Sequence, residues 1–265
     1  GLGGWYFWGS WAAVPFFLVY GVLYGSACDS RWHECGHRTA FKTTWTNDVV
    51  YYIACFMVLR EPTVWRWSHT RHHTDTIIVG LDPEIAVPRP PDIAGIILNL
   101  FGIKSAIALV KKLSYHVRGE LEPGEETFIP ESERPRVYLE ARVMALLYLA
   151  IPVWCLAVGS ILPAMFFGLP SFYGAFMMVF FGLTQHAGLD EDVLDHRLNS
   201  RTVYMNPVFR FLYLNMNYHV EHHMFPMVPY HALPKLHEAI KDDCPTPYPN
   251  TLAAYREIIP ALLRQ

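Results

Sequence analysis

Eight of the thirteen histidines lie in three short windows of the chain. These windows are His33-Glu-Cys-Gly-His37, His69-Thr-Arg-His72-His73 and His219-Val-Glu-His222-His223. Residues at positions i, i+3 and i+4 share one face of a helix, so each window directs two or three imidazole rings the same way. Imidazole binds iron, zinc, copper and nickel, and eight converging rings exceed the four that one tetrahedral ion takes. The spacing therefore predicts a site for two metal ions.

A ninth histidine, His186, ends a long apolar stretch and is a further candidate ligand, because an ionisable residue at a membrane boundary is usually functional. Carboxylates commonly hydrogen-bond to ligating imidazoles and fix their tautomer. Among the acidic residues near the windows, we expect Asp82 and Glu221 to do so. The remaining histidines are isolated and are expected to be structural or on the surface. The exception we expect among them is His196, between Asp195 and Arg197, which is a candidate to contact the metal ligands.

The first window also matches the H-E-x-x-H motif of zinc metalloproteases, in which the glutamate is the general base. That interpretation uses His33, Glu34 and His37 but leaves the other two windows without a role, and it places Gly36 inside the catalytic helix. A metal transporter is a poorer match, because its ligands should lie inside the membrane spans.

The elements that position these histidines are predicted from the distribution of charge. The chain has 265 residues, of which 52% are apolar and only 17% charged, with a net charge of −3. A soluble domain carries about 25% charged residues, so the composition indicates an integral membrane protein and gives no sign of a nucleic-acid partner. Residues 1–28 and 143–189 contain no Asp, Glu, Lys or Arg. We predict an all-α fold in one domain, with helical spans in contact with membrane lipid at about 5–27, 143–160 and 163–185.

Two further apolar segments, 48–60 and 93–115, are predicted to be interfacial or re-entrant. Every Lys and Arg lies in 29–142 or after 189, so the positive-inside rule places both tracts on the cytoplasmic face. Residues 190–265 are expected to form a helical cap on that face, over the metal site. Because the chain begins within an apolar run, we also expect a further segment upstream.

The motifs resemble those of the membrane fatty acid desaturase family, which is defined by three histidine boxes. The second box is followed by Asp82-Pro83-Glu84, and the third lies within Asn217-Tyr-His-Val-Glu-His-His-Met-Phe-Pro226. Both extensions are similar to the family, and the similarity runs from about Asp29 to His237. Two features differ within the superfamily: His219 stands where front-end desaturases carry Gln, and the short first-box spacing is shared with alkane hydroxylases.

The resemblance implies a membrane-bound oxidoreductase that uses two iron ions and O2 to desaturate an aliphatic, fatty acyl chain. A hydroxylase acting on an alkyl or acyl substrate is the alternative within the superfamily. The implied iron ligands, divided about five and four between the ions, are His33, His37, His69, His72, His73, His186, His219, His222 and His223. No catalytic residue beyond these ligands is implied.

The electrons for this chemistry are expected to come from another protein. The sequence has no Gly-x-Gly-x-x-Gly fingerprint, no cysteine cluster for an iron–sulfur centre and no His-Pro-Gly-Gly haem motif. A ferredoxin, a rubredoxin or cytochrome b5 with its reductase is the implied donor. The substrate is expected to be an apolar chain that enters from the bilayer.

Overall fold

The computed structural model describes residues 1–85 and 91–264. All regular elements in these ranges are helices, and the β-bridges Thr202–Tyr218 and Val203–Tyr248 are isolated pairs. The all-α prediction is therefore confirmed for the described residues. In chain order the α-helices are α1 Leu2–Tyr6, α2 Ala13–Gly21, α3 Ala27–Gly36, α4 Thr44–Met57, α5 Pro62–Thr74, α6 Ile93–Asn99, α7 Ile103–His116, α8 Arg134–Val158, α9 Leu162–Phe166, α10 Pro170–Tyr173, α11 Phe176–His186, α12 His196–Asn199, α13 Pro207–Tyr213, α14 His219–Met224, α15 Leu233–Ile240 and α16 Thr251–Arg264.

Two helical stretches are long and apolar enough to cross a membrane, Ala13–Gly36 and Glu131–Val158. In the first, a π-helical turn joins α2 to α3 without a break. The predicted start of this span, near residue 5, is wrong because the chain turns at Gly9, whose φ is +88°. The helix instead begins at Ala13 and continues to Gly36, so the first histidine window starts on it. The second stretch ends at Gly159, where φ is +61°.

Residues 163–185, predicted as one helix, form the three shorter helices α9, α10 and α11. The first break contains Gly168, whose φ is +100°, and Pro170 then begins α10 because proline fits the first turn of a helix. The second break is at Gly174. A Cβ atom there would lie 1.8 Å from the carbonyl oxygen of Gly21, so only glycine permits this close approach of two backbones.

The two segments predicted to be interfacial or re-entrant are also helical. α4 has 14 residues, a length of about 21 Å, which is less than the roughly 30 Å of a bilayer core. α6 and α7 together are apolar enough to span, but they are bent by 92°. Gly102, with φ of +64°, stands between them. The position of these helices relative to a membrane stays a prediction.

The chain divides into two compact units. Unit 1 contains Gly1–Asp29, Tyr52–Trp65 and Ala94–Met178, and unit 2 contains Ser30–Tyr51, Arg66–Ile93 and Val179–Gln265.

Unit 1 is held together partly by buried polar contacts. His116 is fully buried, with Nδ1 2.8 Å from Glu61 Oε1 and Nε2 2.6 Å from Glu125 Oε2. Glu140 of α8 accepts hydrogen bonds from the backbone N–H of Thr63 at 2.8 Å and from its hydroxyl at 2.9 Å. Buried polar groups require such partners, and His116 therefore has the structural role expected of it.

Unit 2 contains all nine candidate ligands. Its polypeptide after residue 186 forms α12 to α16, and α16 packs Ala254 and Ile258 against Val203. This apolar contact holds the segment that leads into α14, the helix of the third histidine window. The cytoplasmic location of residues 190–265 stays a prediction.

Candidate metal centre

The nine predicted ligands are all residues of unit 2, and they lie on or directly after four helices, each near a helix end or on a short helix. His33 is in the last turn of α3 and His37 follows that helix. The second window occupies the last turns of α5, His186 is the last residue of α11, and the third window is on α14. Seven of the nine are at most 7% exposed, whereas His37 and His73 are half-buried. The local spacing places the rings of each window on one face, and the packing of unit 2 brings the four elements together.

Five of the rings form one group. In this five-histidine group, one nitrogen from each ring lies within 4.8 Å of the others; its members are His33, His37, His69, His73 and His222. Nε2 of His69 is 3.0 Å from Nε2 of His37 and 3.1 Å from Nε2 of His73. Nε2 of His73 is in turn 3.1 Å from Nε2 of His222.

The other four rings form a second group. Nitrogens of His72, His186 and His223 lie within 4.8 Å of one another. Nε2 of His219 is 2.9 Å from Nε2 of His186 and 3.1 Å from Nε2 of His223, so we include it in this four-histidine group. All nine predicted ligands are thus brought together, five and four.

Four of the nine rings have their tautomer set by a partner outside the groups. In each, Nδ1 faces a hydrogen-bond acceptor: His69 faces Glu84 at 3.2 Å, His72 faces Asp82 at 2.8 Å, His186 faces the carbonyl oxygen of Asn199 at 2.7 Å, and His223 faces the hydroxyl of Thr76 at 3.1 Å. The Thr76 hydroxyl donates to the carbonyl oxygen of His72 at 2.6 Å, so it accepts from His223. We assign the proton of each of these four rings to Nδ1 from these contacts. Nε2 of each ring then has a free lone pair that faces its histidine group.

Burial favours the neutral form of most of these imidazole rings. Burial, followed by the electrostatic effect of neighbouring rings, keeps the pKa well below 6.5 for His69, His73, His219, His222 and His223. The pKa of His37 is lowered to about 4 by the same causes. His72 differs: burial lowers its pKa, but the hydrogen bond to Asp82 and the negative charges of Glu84 and Asp82 together raise it above its ordinary value. Neutral imidazole is the form that binds metal ions.

This arrangement fits metal ions. Both ring nitrogens of His33 are buried, and neither has a hydrogen-bond partner among the described residues. Lone pairs about 3 Å apart repel one another unless a cation lies between them. Two ligands at right angles, each about 2.1 Å from an ion, have nitrogens about 3.0 Å apart, and the closest Nε2 pairs are separated by 2.9–3.1 Å. An all-imidazole donor set suits iron, zinc, copper or nickel.

The two carboxylates expected to orient ligands behave differently. Asp82 contacts His72, as its position in the sequence suggested. Glu221 instead accepts from Nδ1 of His237 and, at 2.6 Å, from the hydroxyl of Thr202. On α14 each residue is rotated by 100°, so Glu221 lies about 200° from His219 and His223 and faces away from them.

Glu84 contacts a ligand ring but was not among the carboxylates expected to do so. The signal was present, because Glu84 belongs to the Asp-Pro-Glu sequence that follows the second window. The contact of Asn199 with His186 is made by a backbone carbonyl group, and no residue type in the sequence marks such a contact.

The metalloprotease alternative requires Glu34 to face the metal. Glu34 is fully buried, and its Oε1 accepts the backbone N–H of Tyr230 at 3.1 Å. It belongs to neither histidine group, whereas His33 and His37 share theirs with three further rings. The geometry therefore does not place a general base beside these two histidines.

The chain matches the family model described as "Fatty acid desaturase" over residues 9–254. An omega-6 fatty acid desaturase, endoplasmic reticulum isozyme 1, of Glycine max is 37% identical over 29% of this chain and 21% of its own length. An sn-1 oleoyl-lipid 12-desaturase of Anabaena variabilis is 35% identical over 29% of this chain and 22% of its own length. A Delta(5) fatty acid desaturase of Caenorhabditis elegans is 24% identical over 86% of this chain and 58% of its own length.

The chain thus spans about a fifth of the first two relatives and 58% of the third. The family match covers nearly all of the chain, including every histidine of the two groups. It agrees with the all-helical fold, the two candidate membrane spans and the buried histidine cluster. This chain is therefore a member of the fatty acid desaturase family of membrane oxidoreductases.

Proposed function

We propose that this protein uses two iron ions and O2 to introduce a double bond into an aliphatic, fatty acyl chain. The observation that carries the proposal is the pair of buried imidazole groups. Five rings would hold one iron and four the other, since the rings already approach one another as ligands of a common ion do. The bound irons would supply the O2-dependent oxidation of an unactivated C–H bond, which no protein side chain can perform.

The balance of the reaction defines what the protein must provide. Desaturation removes two hydrogens from adjacent carbons, and O2 is reduced to two waters by four electrons. Two electrons come from the substrate, so two electrons and two protons must be supplied from outside. The five cysteines lie at scattered positions in the sequence, without the clustered spacing of an iron–sulfur centre, which supports an external donor such as a ferredoxin, a rubredoxin or cytochrome b5 with its reductase.

The site is proposed to face the cytoplasm, and its substrate to enter from the bilayer. The cytoplasmic assignment rests on the confinement of Lys and Arg to 29–142 and after 189. Apolar side chains on the candidate span Glu131–Val158 are strongly exposed, for example Leu156 at 81% and Leu146 at 68%. Lipid chains would cover such a surface in a membrane, and a substrate with an acyl chain would share that environment.

The test uses the full chain purified in lipid nanodiscs and loaded with Fe²⁺ without oxygen. We expect about two irons per chain by elemental analysis. With a reducing donor, O2 and a lipid extract, mass spectrometry should detect products lacking two hydrogens. His72→Ala should lose iron and turnover, whereas His231→Ala, at an exposed histidine outside both groups, should keep both. One bound zinc and no iron, or full turnover by His72→Ala, would refute the proposal.

A hydroxylase is the second candidate, favoured by the short spacing of His33 and His37, which is shared with alkane hydroxylases. Both reactions begin with removal of one hydrogen and differ in their second step. Removal of a second hydrogen gives a double bond, whereas transfer of a hydroxyl group gives an alcohol. The same mass spectrum separates them, since an alcohol gains one oxygen and a desaturated product loses two hydrogens.

A further inference from the structure

A tenth histidine, His196, lies against the four-histidine group. Its ring centroid is 5.2 Å from that of His223, which is within the 4.3–6.4 Å range found among rings of the two groups. Nδ1 of His196 is buried, and although the Asn199 side chain lies near enough to raise the pKa of the ring, no hydrogen bond of normal geometry reaches this nitrogen from the described residues. A buried donor or acceptor without a well-formed hydrogen bond is costly, so this nitrogen requires an explanation.

The helix that carries His196 is fixed beside the group at its other end. His196 begins α12 and Asn199 ends it. The carbonyl oxygen of Asn199 accepts from Nδ1 of His186 at 2.7 Å, and its side-chain amide donates to the carbonyl oxygen of Thr76 at 3.1 Å. One turn of helix thus links the His186 contact to the His196 ring.

We propose that His196 is a fifth imidazole for the ion in the four-histidine group, which would give both ions the same number of histidines. The inference rests on the proposed two-iron site. His196 is half-buried, as His37 and His73 are, so its ring lies at the edge of the group. It would be the most exposed ligand of the ion in the four-histidine group, whose other members are buried.

The test measures metal binding rather than turnover. Metal-free full chain in phosphatidylcholine nanodiscs is titrated with Co²⁺ without oxygen, and bound ions are counted by dialysis against a competing chelator. The wild-type chain should bind two ions. His196→Phe keeps a ring to pack against His223 but has no nitrogen ligand. It should raise the dissociation constant of one ion by at least about 10-fold and leave the other unchanged.

His196→Ala distinguishes a ligand from a packing residue. It should show the same weakened ion, and added imidazole should restore tight binding by occupying the vacated position. Retention of the ion in the five-histidine group reports that each variant is folded. His231→Phe, at an exposed histidine, should bind both ions like the wild type.

The inference is overturned if His196→Phe binds both ions with wild-type affinity. It is also overturned if His196→Ala binds one ion weakly and imidazole does not restore it, because the residue would then act through packing. Failure of the wild-type chain to bind two ions would instead refute the two-metal site of the proposed function.

Discussion

Replacing Asp82 by asparagine should both destabilise unit 2 and weaken metal binding. The Asp82 carboxylate is 2% exposed and accepts four hydrogen bonds. Oδ1 accepts from the backbone N–H groups of Glu84 at 2.9 Å and Ile85 at 3.2 Å. Oδ2 accepts from Nδ1 of His72 at 2.8 Å and from the backbone N–H of Ile77 at 2.9 Å. The carboxylate thus joins a ligand ring to the loop that follows α5.

An asparagine side chain has only one oxygen, so in either orientation two of the four donors would face an NH2 group. Each buried donor left without an acceptor costs about 1–3 kcal/mol. The free energy of unfolding should therefore fall by about 2–6 kcal/mol if the NH2 group faces the N–H groups of Glu84 and Ile85. It should fall by about 1–3 kcal/mol if the NH2 group faces His72, because only the N–H of Ile77 then lacks an acceptor. If the NH2 group faces His72, its Nδ1 must become an acceptor, and Nε2 then carries the proton towards the four-histidine group. Metal affinity should fall by about 10- to 100-fold, as is typical when a residue that orients a ligand is lost.

The assay is chemical unfolding of the metal-free chain in detergent micelles, followed by tryptophan fluorescence, together with Co²⁺ titration. Asp192→Asn is the matched control. Asp192 is exposed and accepts one backbone N–H, that of Val79 at 2.8 Å, which an asparagine oxygen can replace. Its effect should stay within about 0.5 kcal/mol. If Asp82→Asn unfolds within about 1 kcal/mol of the wild type and binds Co²⁺ equally well, the four contacts do not have the role assigned to them.

Three further predictions address packing, pH and metal binding. Gly174→Ala should lower the melting temperature markedly, because the added Cβ would overlap the Gly21 carbonyl group. The control is Gly182→Ala, whose Cβ meets no atom within 4 Å and which should leave stability unchanged or raise it. Equal melting temperatures of the two variants would contradict the close approach of the backbones. The metal-free protein should lose stability as the pH falls below 6.5. In the unfolded chain His37 binds a proton in this range, whereas in the folded protein its pKa is about 4 and it stays neutral. His37 alone should account for about 1 kcal/mol of this loss at pH 5.5. His37→Gln should therefore reduce the dependence of the free energy of unfolding on pH, measured by chemical unfolding, and an unchanged dependence would refute this. Finally, Fe²⁺ at about 100 times its dissociation constant should add about 2.7 kcal/mol per site to the free energy of unfolding. A chelator should reverse this gain. If neither addition changes the free energy of unfolding, the folded protein does not bind Fe²⁺ preferentially.

Much of the metal centre was predictable because its signals are local. The spacing within each window decides which rings share a helix face, and the number of rings indicates two ions. Nine residues were predicted as ligands, and the structure brings all nine into two groups. The all-helical fold was also predictable from long apolar stretches without charge. These inferences depend on neighbours in sequence, for which helix geometry is sufficient.

Helix ends were less predictable where backbones meet. Hydropathy alone suggested one helix over 163–185, but α9 ends before Gly168 and Pro170 begins α10. The break at Gly174 depends on its contact with Gly21, which lies far away in the chain. A sequence pattern shows a glycine at that position but not the backbone that needs the space.

The sequence by itself determined which residue types are available as ligands and which way each window faces. Only the tertiary structure decided how the rings divide, with His72 in the four-histidine group while its helix neighbours His69 and His73 join the five-histidine group. It also decided that Glu221 contacts His237 and that His196 lies against His223. The physical reason is that helix periodicity fixes directions within one element, whereas contacts between elements depend on the packing of the whole unit.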